Sequence, residues 1–114
     1  MIKFLLPFFL IIAQQNIMVI DPANNANTHN QRGLIYLKEG YALPAIQEFK
    51  LAIRLCPNSS ATATFYNNLG LSYIKIRRYD WALWCFEKSI SINPNFIDFY
   101  SNLVKVYKLK KCLY

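Results

Sequence analysis

"AIQEFKLAIRLCPN" at residues 45–58 returns as "ALWCFEKSISINPN" at residues 82–95, and that echo decides the fold. The offset is 37 residues, and it also superposes Gly33 on Gly70, Tyr36 on Tyr73 and Pro57 on Pro94. So many coincidences at one offset identify an internal repeat, a unit that buries its apolar side only by stacking on a neighbour. Inside the unit, Ala45, Phe49 and Ala52 follow one another at spacings of four and three, which places them on one face of a helix. A second helical pattern precedes it, from Leu34 to Leu37, with "KEG" as the turn between the two. Pro44 falls in the first turn of the later helix, where its missing N–H is harmless, and Pro57 closes the unit.

The later copy has the same parts. Leu69, Tyr73 and Ile76 build its first helix, and Ala82, Phe86 and Ser89 repeat the small-large-small face of its second. Asp80 is expected to cap that second helix by accepting from the backbone amide of Ala82 or Leu83. Pro94 ends the copy. A further shift of 34 carries Tyr66 to Tyr100, Asn68 to Asn102, Leu69 to Leu103 and Tyr73 to Tyr107, with Gly70 meeting Val104. The units are therefore 26–59, 60–96 and the single helix 97–114, preceded by an Asn-rich linker at 21–27. The three extra residues of the longer period sit around "SSATAT" and are expected to lengthen the next helix, capped by Ser59 or Ser60, rather than the loop.

The chain resembles the tetratricopeptide repeat family through Gly33, Tyr36, Ala45, Phe49, Ala52 and Pro57, and through Tyr66, Leu69, Gly70, Tyr73, Ala82, Phe86 and Pro94. The resemblance implies an all-α fold, a short helical-repeat array of two helix pairs with a C-terminal capping helix. It also implies a non-catalytic adaptor that holds a peptide or partner helix on the concave face of the first helices. Carried over residue by residue, that face comprises Asn30, Leu34, Lys38, Asn67, Asn68, Leu71, Lys75, Ser101, Lys105 and Lys108. Asparagine amides would hold a peptide backbone and the lysines would favour acidic segments. A chaperone-tail clamp is disfavoured, because of Asn30, Leu34, Asn68, Asp98 and Asn102 at the matching positions only Asn68 has the expected type. An alternative implied by the same family is a structural or assembly subunit that self-associates or helps build a membrane complex.

Composition bounds the rest. A hydrophobic share of 54% excludes a disordered tail, and 114 residues leave no room for a catalytic domain beside a binding one. Thirteen Lys and Arg against six Asp and Glu give +7, which favours acidic partners. Nucleic acid is disfavoured, since "KVYKLKK" at 105–111 and Arg77–Arg78 form no continuous stripe. One histidine, His29, expected at the solvent end of the first helix, leaves acid–base catalysis without a partner, and Glu48, Asp80 and Glu87 are scattered. Cys56, Cys85 and Cys112 lack metal-type clustering, and Cys85 fits a buried apolar position, so no cofactor or metal is expected.

Residues 1–20 open with Lys3 and an apolar run from Phe4 to Ala13, the pattern of an export signal, with an uncleaved anchor through 4–20 as the alternative. The expected location is thus exported or membrane-tethered, with cytoplasmic as the alternative. Tyr36, Phe49, Tyr73, Phe86, Tyr100 and Tyr107 are expected in the core. Trp81 and Trp84, three apart beside a turn, instead suggest a second contact surface.

Overall fold

The computed structural model describes residues 22–112. The expected signal or anchor at 1–20 lies outside them. Five helices follow one another: α1 (Pro22–Lys38), α2 (Ala42–Leu55), α3 (Ser60–Lys75), α4 (Tyr79–Ile92) and α5 (Ile97–Lys111). Each packs on the next, and α1 also meets α3 while α3 meets α5. The first helices of successive units thus line up side by side, as the repeat requires. Among the described residues no helix is long and apolar enough to cross a membrane.

Residues 21–27, expected as a linker, are helical from Pro22 onward. Proline at a first helical position carries a preset φ and lacks only an N–H that would go unbonded, and buried Ala26 anchors this turn on Ala52 and Phe65. The lengthened helix is as expected. Ser59 precedes α3, its N–H donates to Thr62 Oγ1 at 3.1 Å, and the Thr62 hydroxyl donates to the Cys56 carbonyl. Those bonds through Thr62 fix the start of α3 close to Pro57 and draw "SATAT" into the helix.

Both helix pairs turn by the same device. Tyr41 N–H bonds the Tyr36 carbonyl at 2.8 Å and Gly40 N–H bonds that of Leu37 at 3.1 Å. One period later, Arg78 bonds Tyr73 at 2.9 Å and Arg77 bonds Ile74 at 3.0 Å. These are paired Schellman caps, which need a left-handed residue after the helix. Gly40 supplies it at φ 90°, and Arg77 supplies it at φ 61° with a Cβ in the way. Arg77→Gly is therefore expected to stabilise the protein by about 1 kcal/mol. Gly40→Ala should destabilise it by a similar ~1 kcal/mol through backbone strain alone, because open space surrounds its missing Cβ. Urea unfolding midpoints check both, and equal small losses from the two would contradict the argument.

This early turn also moves the start of α4. Its N-cap is Arg78, so Asp80 stands inside the first turn instead of capping it. The Asp80 carboxylate, 81% exposed, reaches Lys110 Nζ of α5 at 2.5 Å. A carboxylate in a first turn still favours the helix dipole.

The core is built from the repeated face. Ala45, Phe49, Ala82, Cys85 and Phe86 are fully buried and join Ile46, Leu69, Tyr73 and Val106 in one cluster. Burial pushes the Cys85 thiol up to about 12, with nearby Lys50 opposing, so it stays a neutral, inert apolar group. Gly33 and Gly70 permit the close approach of the paired helices. A Cβ on Gly33 would lie 2.5 Å from the Phe49 ring, and one on Gly70 would lie 2.6 Å from that of Phe86.

Three expected core tyrosines are instead partly open: Tyr36 is 37%, Tyr100 41% and Tyr107 52% exposed. Tyr73 is covered because helices flank α3 on both sides, whereas α1 and α5 are the outermost described helices. α5 buries Phe99 and Val106 inward and leaves Ile97, Val104 and Tyr107 outward. His29 is not at a solvent end either. Its Nδ1 meets Glu48 Oε2 at 2.6 Å and ties α1 to α2.

Candidate functional site

Eight of the ten residues expected on the concave face separate into two groups, and Leu34 and Lys38 fall outside both. Asn68 Nδ2 donates to Asn30 Oδ1 at 2.9 Å, and each side chain belongs to a residue only 7% exposed. Asn102 Nδ2 donates to Asn67 Oδ1 at 2.8 Å in the same manner, one unit further on. These amides form a ladder joining α1 to α3 and α3 to α5. Asn30 and Asn68 are thus bonded to each other, and neither lines the two clefts described next. The sequence carries a signal for this, since the partners are separated by 38 and 35 residues, one more than each repeat period.

The second group gathers around two clefts. One, about 350 Å3, lies between Leu71, Ile74 and Lys75 of α3, Lys105 of α5, Leu37 of α1, and Arg77 and Tyr79 at the following turn. The other, about 320 Å3, runs along α5 between Ser101, Lys105, Lys108 and Leu109. Lys105 borders both. Among the described residues no carboxylate lines either cleft, so cations border apolar walls there. Leu34 packs against the core, and Lys38 is exposed and lines neither cleft.

Trp81 and Trp84, set apart from the core by their place beside a turn, border a third concavity. It is about 380 Å3, on the side of the array where α2 and α4 flank α3. The indoles are 57% and 51% exposed. Among the described residues no three His, Cys, Asp or Glu side chains come together as a metal site would need.

The tetratricopeptide repeat pattern matches residues 26–59 and again residues 63–96. The chain belongs to the tetratricopeptide repeat family. Among solved structures, the TPR2AB domain of yeast Sti1, determined in complex with pHSP90, superposes with a TM-score of 0.73 over 96% of this chain and 42% of that one. Identity there is 16%, so the likeness is one of fold. An uncharacterized protein ycf37 of Guillardia theta is 31% identical over 78 residues, covering 67% of this chain and 44% of the relative. Its namesake in Pyropia yezoensis is 26% identical, covering 91% and 64%. The chloroplastic tetratricopeptide repeat domain-containing protein PYG7 of Arabidopsis thaliana is 32% identical over 75 residues, covering 66% and 24%. The matched stretch therefore spans between about a quarter and two thirds of these relatives' length.

Proposed function

We propose that this chain is a protein-interaction adaptor that holds an acidic, partly apolar segment of a partner protein on the face formed by α1, α3 and α5. The observation that carries the reading is the convergence of Lys75 and Lys105, from consecutive first helices, on one apolar cleft that no carboxylate lines among the described residues. Extended segments suit such a face because its side-by-side helices offer a continuous wall with charges at fixed spacing. A plastid location is proposed in place of export, on the strength of the chloroplastic relative.

Fluorescence anisotropy with a labelled peptide of mixed Glu and Leu tests this. The double change Lys75→Ala, Lys105→Ala is expected to weaken binding about tenfold, as losing two rim charges from a small site should. Replacing every Glu of the peptide by Gln should do the same. Unchanged affinity in both arms would sink the reading. Both lysines are exposed, so the variant keeps its fold. The self-associating alternative draws on the outer face of α5, where Ile97 is 77% and Val104 50% exposed. Sedimentation velocity over the same concentrations separates it: mass that grows with concentration, without peptide binding, favours the structural subunit.

A further inference from the structure

The concavity beneath Trp81 and Trp84 lies where α2 and α4 flank α3, and the adaptor reading does not use it. Its walls come from three helices. Lys50 and Arg54 stand one turn apart on α2, Tyr66 and Tyr73 rise from α3, and Trp81 and Trp84 project from α4. Ile53 and Leu69 form the remaining apolar lining.

The aromatic side chains are held in place. Tyr66 meets Trp84 edge-on, with ring centroids 5.6 Å apart and planes at 75°. Tyr73 meets Trp81 in the same way, at 5.2 Å and 74°. Cations sit over the indoles as well: the Arg78 guanidinium is 5.9 Å from the Trp81 ring, and Lys88 Nζ is 5.5 Å from that of Trp84. Each indole is thus braced by a tyrosine and a cation while half its surface stays open. Two half-exposed tryptophans fixed in this way lose little rotamer freedom when a ligand arrives, which is the property of interface anchors.

We infer that this cleft is a second docking site, for an acidic peptide segment carrying an aromatic or aliphatic anchor residue. Charge complementarity names the occupant. Among the described residues Lys50 and Arg54 line the cleft and no acidic residue does, while Arg78 and Lys88 lie over the Trp81 and Trp84 rings without lining it. An anchor side chain enters between Trp81, Trp84 and Leu69, and carboxylates beside it meet Lys50 and Arg54 of α2. A flat bilayer does not fit as well, since the indoles border a concavity walled in part by α2. Base stacking is disfavoured too, because a cation already covers one face of each indole.

The chain contains two tryptophans, both at this cleft, so intrinsic fluorescence reports on it directly. The probe is a short synthetic peptide in which glutamates flank one Phe and one Leu. Titration is expected to shift the emission to shorter wavelength as the indoles are covered. Lys50→Ala with Arg54→Ala, both exposed positions, should weaken that response about tenfold, and Trp84→Ala should do so by a similar factor. Lys75→Ala with Lys105→Ala should leave it unchanged, which keeps this site's failure distinct from failure of the groove between α1, α3 and α5. The inference is overturned if the peptide produces no emission shift. It is also overturned if anionic vesicles or an oligothymidylate produce the shift and the peptide does not. Far-UV circular dichroism on every variant confirms that the helices persist.

Discussion

Gly70→Val is expected to cost about 3 kcal/mol or more in urea unfolding, enough to leave a small repeat array largely unfolded at ordinary temperature. The missing Cβ position lies 2.6, 2.9 and 3.0 Å from three atoms of the Phe86 ring, and that ring is fully buried with nowhere to retreat. Gly70→Ala isolates the first methyl. Helix propensity alone would make it stabilising by about 1 kcal/mol, whereas overpacking predicts a loss of ~1–3 kcal/mol. The sign of the measured change therefore decides between them. Adding Phe86→Leu to Gly70→Ala should recover part of the loss, although Phe86→Leu alone destabilises, giving a coupling on the order of 1 kcal/mol. Strict additivity in that cycle, or a more stable Gly70→Ala, would refute the packing argument.

The chain contains an internal control for that pair. Gly33 meets Phe49 as Gly70 meets Phe86, and at the third occurrence Val104 stands at the glycine position on an open helix face. A side chain appears where no described phenylalanine presses against the backbone. This is why the pair is legible in the sequence: a glycine and a phenylalanine recurring together at one offset encode a size match, and size survives in one-letter code. Turn chemistry is less legible. Asp80 looks like an N-cap by residue type, but Arg77 adopts the left-handed conformation that Gly40 adopts one unit earlier, and the turn therefore closes sooner. Nothing in an arginine advertises that geometry; only the alignment with Gly40 does.

Polar residues on a helix face are harder still. Periodicity places Asn30, Asn67 and Asn68 on the first helices, and the family resemblance then turns them toward a ligand. Whether such an amide meets a ligand or the next helix depends on the lateral distance between helices, which one unit's sequence does not carry. The lysines are simpler, because a long charged side chain stays at the rim whatever its neighbours do. Three of the four, Lys75, Lys105 and Lys108, accordingly line clefts, as do Leu71 and Ser101, while Lys38 lines neither.

Asn68→Ala should destabilise the fold by about 2 kcal/mol, while Asn67→Ala should change it by about 0.5 kcal/mol or less. The two residues are adjacent, chemically identical and each hydrogen-bonded once to another asparagine, so the contrast rests on burial. Removing the Asn68 amide deprives buried Asn30 Oδ1 of the donor at 2.9 Å, in a place where water has little access. Removing Asn67 deprives Asn102 Nδ2 of an acceptor at a half-buried position that solvent can serve. Asn30→Leu with Asn68→Leu, which removes donor and acceptor together, should lose less than Asn68→Ala alone, because no unpaired polar atom stays buried. The same variants bear on function. If the ladder is structural, Asn67→Ala should leave acidic-peptide affinity intact, and the weakening under Lys75→Ala, Lys105→Ala should be independent of it. Equal stability losses at positions 67 and 68 would remove burial as the cause. An Asn68→Ala protein that unfolds normally yet no longer binds peptide would return that amide to the groove.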